Sequence, residues 1–205
     1  MKILVVGGTG VIGNAIVELL RKEHEVISIG KTRGDYQVDI EDKASIEKMY
    51  EDFKDIDGII STAGTATYAP FQEQTDEDLD SVLNNKIKGQ VNLIRLGMNH
   101  IKDNGFIILT TGAASHTPMP GGASLSLACA GIEGYVKVVD IEKQNNIRIN
   151  VVRPALVTES MEIWGIYAPN SVSAADTAKV YQKVMELEES AIMVDVPECL
   201  ATIKN

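Results

Sequence analysis

Lys2-Ile3-Leu4-Val5-Val6-Gly7-Gly8-Thr9-Gly10-Val11-Ile12-Gly13 is the stretch that decides the fold. Four large apolar residues in a row, with no polar alternation, read as a strand buried on both faces, which is the habit of parallel sheets. The run stops on glycines, and a helical pattern with Ile12, Ile16, Leu19 and Leu20 on one side begins at once. Each glycine has its own task in such a turn. Gly7 permits the tight exit from the strand, Gly10 leaves the backbone bare for a close-lying pyrophosphate, and Gly13 lets the helix sit close to the sheet. The start of the helix then offers unpaired N–H groups and a partial positive charge to phosphate.

Outward from this turn the same alternation repeats. Strands are expected at 2–6, 25–29, 36–38, 56–61, 106–110, 148–152 and 191–196. Helices are expected at 45–53, 76–101 (closed by Asn104-Gly105), 122–143 and 173–187, with only a modest helix after Thr158. Short apolar runs alternating with longer amphipathic ones predict an α/β protein: a single-domain Rossmann fold over 1–205, with a doubly wound parallel sheet of about seven strands. Its ligand belongs at the C-terminal strand ends, where the topology switches direction.

Composition narrows the function. The 205 residues suffice for one full core, and 44% hydrophobic with 23% charged residues argues against disorder. A net charge of −10 opposes a broad phosphate-binding surface, so neither DNA nor RNA is an expected partner. Cys129 and Cys199 are far apart and form no CxxC, which predicts neither a disulfide framework nor a metal site. No apolar run reaches the length of a membrane span, and the N-terminal run is too short for a signal peptide, so a cytoplasmic location is expected.

The second strand is followed by Gly30-Lys31-Thr32-Arg33, where an NAD-selective domain usually places an acid for the ribose hydroxyls. Lys31 and Arg33 instead bring positive charge to the place of an adenosine 2′-phosphate, with Thr32 as a further donor, which predicts NADP(H) in preference to NAD(H). The plainer reading is a pair of solvated loop cations.

Val6-Gly7-Gly8-Thr9-Gly10-Val11-Ile12-Gly13 resembles the TGxxGxxG cofactor turn of the short-chain dehydrogenase/reductase family, and the resemblance extends over nearly the whole chain. Val38-Asp39-Ile40 is similar to the family segment whose Asp meets the adenine amino group. Ser61-Thr62-Ala63-Gly64 stands where the family has NNAG. Asn150-Val151-Val152-Arg153-Pro154 resembles the NxVxPG stretch under the nicotinamide, with Ala155 in place of the glycine. Val157 and Thr158 resemble the pair that contacts the carboxamide. The resemblance therefore implies cofactor contacts at Gly7, Thr9, Gly10, Val11, Ile12, Gly13, Lys31, Thr32, Arg33, Asp39, Ile40, Thr62, Ala63, Gly64, Pro154, Val157 and Thr158. It also implies a homo-oligomer, dimer or tetramer, built on the two long helices.

The catalytic signature departs from the pattern. The family uses a Tyr, a Lys four residues later and a Ser about a dozen residues before. Anchored on Ala130-Gly131-Ile132-Glu133-Gly134, which resembles the family's AGxxG, the Tyr position falls on Leu125, the Lys position on Cys129 and the Ser position on Gly112, beside Thr111. Leu125 has no titratable proton and Cys129 no fixed positive charge. Thr111 is the candidate to hydrogen-bond a substrate carbonyl, although a Thr at a strand end is also an ordinary backbone cap. Ser115 and His116 on the Gly/Pro loop and the possible cavity-lining Tyr68, Trp164 and Tyr167 are further candidates, each also readable as an ordinary surface or packing residue. Two functions fit: an NADP(H)-dependent oxidoreductase acting on an unknown carbonyl or alcohol, or a non-catalytic dinucleotide-binding regulator or sensor. A methyltransferase with a similar glycine turn fits the Thr62-Ala63-Gly64 and Pro154 segments poorly.

Overall fold

Every strand of the sheet runs parallel to its neighbours, in the order β3-β2-β1-β4-β5-β6-β7. The strands are β1 (Lys2–Val6), β2 (Glu25–Gly30), β3 (Tyr36–Gln37), β4 (Ile56–Ser61), β5 (Ile101–Thr110), β6 (Arg148–Arg153) and β7 (Met193–Asp195). The structure is a computed structural model and describes residues 1–65 and 67–203. Side chains alternate across each strand, so Leu4 and Val6 enter one core while Ile3 and Val5 enter the other. Helices α2 (Lys43–Asp52), α4 (Gly89–Gly97) and α5 (Ala123–Glu142) close the first core with Ile46, Met49, Leu93, Ile132 and Val136. Helices α1 (Val11–Leu20), α7 (Ala174–Glu186) and α8 (Val196–Ile203) close the second with Ile16, Leu20, Val180, Val184 and Leu200. This is the doubly wound Rossmann architecture expected from the apolar runs.

Register brings the strand ends level. Val6 pairs with Ile29 and Ser61, Ser61 with Leu109, and Thr110 with Val152. Consequently Gly7, Gly30, Thr62, Thr111 and Pro154 emerge along one edge of the sheet, with the switch in strand order between β1 and β4. Thr110 locks that edge: its hydroxyl donates to the Ser61 carbonyl at 2.6 Å and lies 2.7 Å from the buried Tyr181 hydroxyl.

Several local expectations differ from the structure. The helix expected over 76–101 consists of α3 (Asp76–Ser81), a π-helical stretch (Val82–Lys88) and α4, which stops at Gly97. At its last residue the helix packs directly on Tyr50: a Cβ on Gly97 would lie 2.5 Å from the buried Tyr50 hydroxyl, so this close approach needs a glycine. Strand β5 accordingly starts at Ile101, not at 106. Asn104-Gly105 does not close the helix; Asn104 has φ of +63° at an irregularity within β5, where Ile101 faces Ile56 and Phe106 faces Gly58. Lastly, the strand expected at 191–196 is β7 over Met193–Asp195 alone, and α8 follows it directly, with Pro197 in its first turn, where a missing N–H costs nothing. The helix after Val157 is α6 (Thr158–Ile163).

Candidate functional site

At the glycine turn, sterics separate what the fold needs from what it leaves open. Gly7 has φ of +87°, and a Cβ there would stand 2.6 Å from the Ala63 nitrogen. One on Gly13 would stand 2.1 Å from the Gly7 carbonyl oxygen. Both glycines are demanded by the protein's own packing. Gly10 differs: its Cβ would meet only the Gly7 oxygen, at 3.4 Å, and its φ of −82° suits any residue. The bare side of Gly10 faces open space at the start of α1, which has no side-chain cap on its first-turn N–H groups. Such a start holds an anion well. Thr62 ties the end of β4 to this turn, donating from its hydroxyl to the Gly7 carbonyl at 3.2 Å.

The two cations after β2 have different fates. Arg33 reaches back over the turn and donates from Nη2 to the Thr9 carbonyl at 3.0 Å, with no carboxylate partner among the described residues. Lys31 is paired: its Nζ lies 2.9 Å from Asp39 and 3.8 Å from Glu41. The hydrogen bond to Asp39 raises the Lys31 pKa. Burial opposes the charge on Asp39, yet the same bond holds its carboxyl below the usual range. Asp35, the next acid along the chain from Arg33, is turned back onto β2, where it accepts from the Ser28 N–H at 2.8 Å and pairs with Arg21. Thr32 contributes its carbonyl to Gln37. Ile40 is buried against Gly89.

The other half of the edge is organised around Glu133 of α5. Its Oε1 accepts from the Thr111 hydroxyl at 3.0 Å, the Ser115 hydroxyl at 2.9 Å and Arg153 Nε at 2.9 Å. Its Oε2 accepts from Arg153 Nη2 at 2.6 Å, and Arg153 also donates to Asp195 at 3.1 Å. Burial works against ionising Glu133, but the bonds from Arg153, Ser115 and Thr111 outweigh it and hold the carboxyl below its usual range. The Thr111 hydroxyl proton is thus directed at Glu133. His116 Nε2 stands 3.4 Å from Asp195.

Leu125 and Cys129 lie four residues apart at the N-terminal end of α5, so they share one face of the helix. Cys129 is fully buried, and a Cβ on Gly112 would lie 3.8 Å from its Sγ. Burial pushes the Cys129 thiol upward. After β6 the chain passes Pro154 and makes a short parallel bridge between Val157 and Val172; the Thr158 hydroxyl lies 2.9 Å from that of Ser171. Tyr68, Trp164 and Tyr167 are exposed.

Four residues of this site were not singled out from the sequence. Glu133 appears there only within the AGxxG-like segment and Arg153 only within the NxVxPG-like stretch, and Asp195 carries no signal of its own. Lys86 is buried in the π-helical stretch, its Nζ donating to the Thr110 carbonyl at 3.3 Å beside Gln90, which donates to the same oxygen at 2.9 Å. A signal for it existed: Val82, Lys86, Gln90 and Leu93 share one helical face, so the lysine interrupts an apolar stripe. Surface grooves of about 440 and 300 Å³ lie instead at the opposite end of the sheet, the first between the C-terminal ends of α4 and α5 and the second between α2 and α4.

The family model described as Enoyl-(Acyl carrier protein) reductase matches residues 8–194. The chain belongs to the short-chain dehydrogenase/reductase family. Among solved structures, the protein lin1944 of Listeria innocua is 36% identical, with a TM-score of 0.90 over 96% of this chain and 99% of that one. A small-chain dehydrogenase in complex with NADPH is 23% identical, with a TM-score of 0.82 over 95% of both chains. Hydroxynaphthalene reductase arp2 of Aspergillus fumigatus is 27% identical over 139 residues, 65% of this chain; the chain matches about half of that reductase's length, 51%. Its seven-stranded parallel sheet is the Rossmann-like fold of that family. No helix among the described residues is long and apolar enough to cross a membrane.

Proposed function

We propose that the protein binds NADP(H) along the C-terminal edge of its sheet and acts as an oxidoreductase on a carbonyl or alcohol substrate, without the usual Tyr/Lys pair. The observation that carries this reading is the contrast at the glycine turn: Gly7 and Gly13 are filled by the protein, while Gly10 keeps open a cradle that a Cβ would enter. Arg33, held over Thr9 and free of carboxylates among the described residues, meets the 2′-phosphate. Lys31 and Asp39 approach the adenosine together, so Lys31 contributes less free charge than Arg33. Thr9 and the first N–H groups of α1, on Val11, Ile12 and Gly13, take the pyrophosphate. Thr62, Ala63 and Gly64 line the central strand end, and Pro154, Val157 and Thr158 the nicotinamide end. When bound, the dinucleotide supplies a hydride to a carbonyl carbon. Leu125 and Cys129 offer that carbon's oxygen neither a positioned acid nor a fixed cation, and loss of such an acid costs about 10²–10⁴ in rate.

The commitment of Thr111 to Glu133 favours a second reading, in which the occupied fold serves as a dinucleotide-responsive regulator. A screen of aldehydes and ketones, following NADPH consumption, separates the two. Slow but saturable turnover supports the oxidoreductase; binding with no turnover of any carbonyl supports the regulator. The reading also includes a cytoplasmic homo-oligomer, for which Val138 and Ile141 leave apolar surface exposed on α5. Light scattering on the purified protein gives its mass directly.

A further inference from the structure

Lys86 is a buried amine with donors to spare. It is 6% exposed, and among the described residues its Nζ has one hydrogen bond, at 3.3 Å, to a carbonyl that Gln90 already satisfies at 2.9 Å. No described carboxylate pairs with it. Taking an ammonium out of water without a partner is costly, and burial pushes the Lys86 amine down from its ordinary pKa; a ligand that accepts hydrogen bonds from it would favour the charged form. Its position says what that is. The methylene chain lies under Gly64, the last residue of the Thr62-Ala63-Gly64 strand end, where a Cβ would stand 3.1 Å from the Lys86 side chain. The amine reaches the carbonyl of Thr110, at the end of β5. Two residues on, Gly112 borders the sulfur of Cys129. Lys86 and Cys129 also lie within electrostatic range of one another.

The local backbone explains how the side chain gets there. Asn85 and Lys86 are consecutive in the wide π-helical turn, a form that recurs at functional sites. Asn85 turns toward the adenosine side, accepting from the Thr65 N–H at 2.8 Å and donating to Glu41. Lys86 turns inward to the end of β5.

We propose that Lys86 is a cofactor-binding residue: from the π-helical turn it supplies, to the ribose hydroxyls at the nicotinamide end of the bound dinucleotide, the cation that Cys129 withholds from α5. The inference rests on the NADP(H) reading above.

The test compares NADPH with 2′,5′-ADP, which carries the adenosine end alone, by calorimetric titration. In Lys86→Met, affinity for NADPH should fall about 10-fold or more, as for loss of one charged hydrogen bond, while affinity for 2′,5′-ADP stays unchanged. Lys86→Gln keeps a donor for the Thr110 carbonyl and serves if the Met variant does not fold; it should show the same selective loss. Adding Cys129→Lys to Lys86→Met should recover part of the NADPH affinity, which a merely structural role of Lys86 would not allow. Unchanged NADPH affinity in a folded variant, or an equal loss for both ligands, overturns the assignment of Lys86 alone. A wild-type protein that binds neither ligand overturns the dinucleotide reading and this inference with it.

Discussion

Glu133, midway along α5, and Arg153, at the end of β6, meet side by side, with Nε 2.9 Å from one carboxylate oxygen and Nη2 2.6 Å from the other. The pair is nearly buried, with side-chain exposures of 7% and 17%. This two-point geometry fixes the edge of the sheet around Thr111 and Ser115, and it binds β7 through Asp195.

Removing one partner leaves the other charge buried and alone. Arg153→Met should therefore destabilise the protein by about 3–5 kcal/mol. Chemical denaturation of the variant beside the parent checks this, and a loss below about 1 kcal/mol would show that the pair is solvated.

The same carboxyl predicts a pH dependence. Glu133 has a folded-state pKa below its unfolded value near 4.5, so its contribution is complete above pH 4.5 and is lost as pH falls through the lower, folded value. Thermal midpoints measured downward from neutral pH should drop more steeply below about pH 4.5 for the parent than for Glu133→Gln. Parallel curves would remove Glu133 from the acid transition.

Gly10→Val and Gly13→Val separate ligand space from packing space. The first should fold normally and lose dinucleotide binding. The second places a Cβ 2.1 Å from a backbone oxygen and should fail to fold or melt far lower. Normal NADPH binding by a folded Gly10→Val protein would mean that the turn serves some other purpose.

Much of this was legible in the sequence, for identifiable reasons. Parallel strands buried on both faces are written as unbroken apolar runs, and 2–6, 56–61 and 148–152 all fell close to the observed bounds. The glycine turn is local, so spacing alone conveys it. The end of α4 was not legible, because Met98 and Ile101 continue the apolar pattern past Gly97, and the Gly97–Tyr50 contact joins residues far apart in the chain. Nor were the ion pairs. Lys31 and Asp39 are brought together by the β2–β3 pairing, and Glu133, Arg153 and Asp195 come from three separate elements, 20 and 42 residues apart along the chain. Lys86 shares a helical face with Val82 and Leu93 in the sequence, but its contact with the Thr110 carbonyl appears only in the fold.

The positions at Leu125 and Cys129 can be tested by gain of function. Gly112 has an extended backbone, which a serine adopts without strain. Leu125→Tyr with Cys129→Lys and Gly112→Ser should raise NADPH-dependent carbonyl reduction measurably, though below the rate of a fully evolved site, whose supporting residues are absent. A parent protein already turning over common carbonyls at a typical rate of about 1–10³ s⁻¹ would contradict the account of the missing pair.

Titration of the unmodified protein with NADPH and with NADH, by calorimetry under identical salt, addresses the central claim most directly. The account predicts one saturable site per chain, with NADPH bound more tightly because Arg33, with Lys31 beside it, meets the 2′-phosphate; Lys31→Ala with Arg33→Asp should erase or reverse the difference. Equal affinity for the two dinucleotides would contradict the cofactor preference, and no binding of either would contradict the account as a whole.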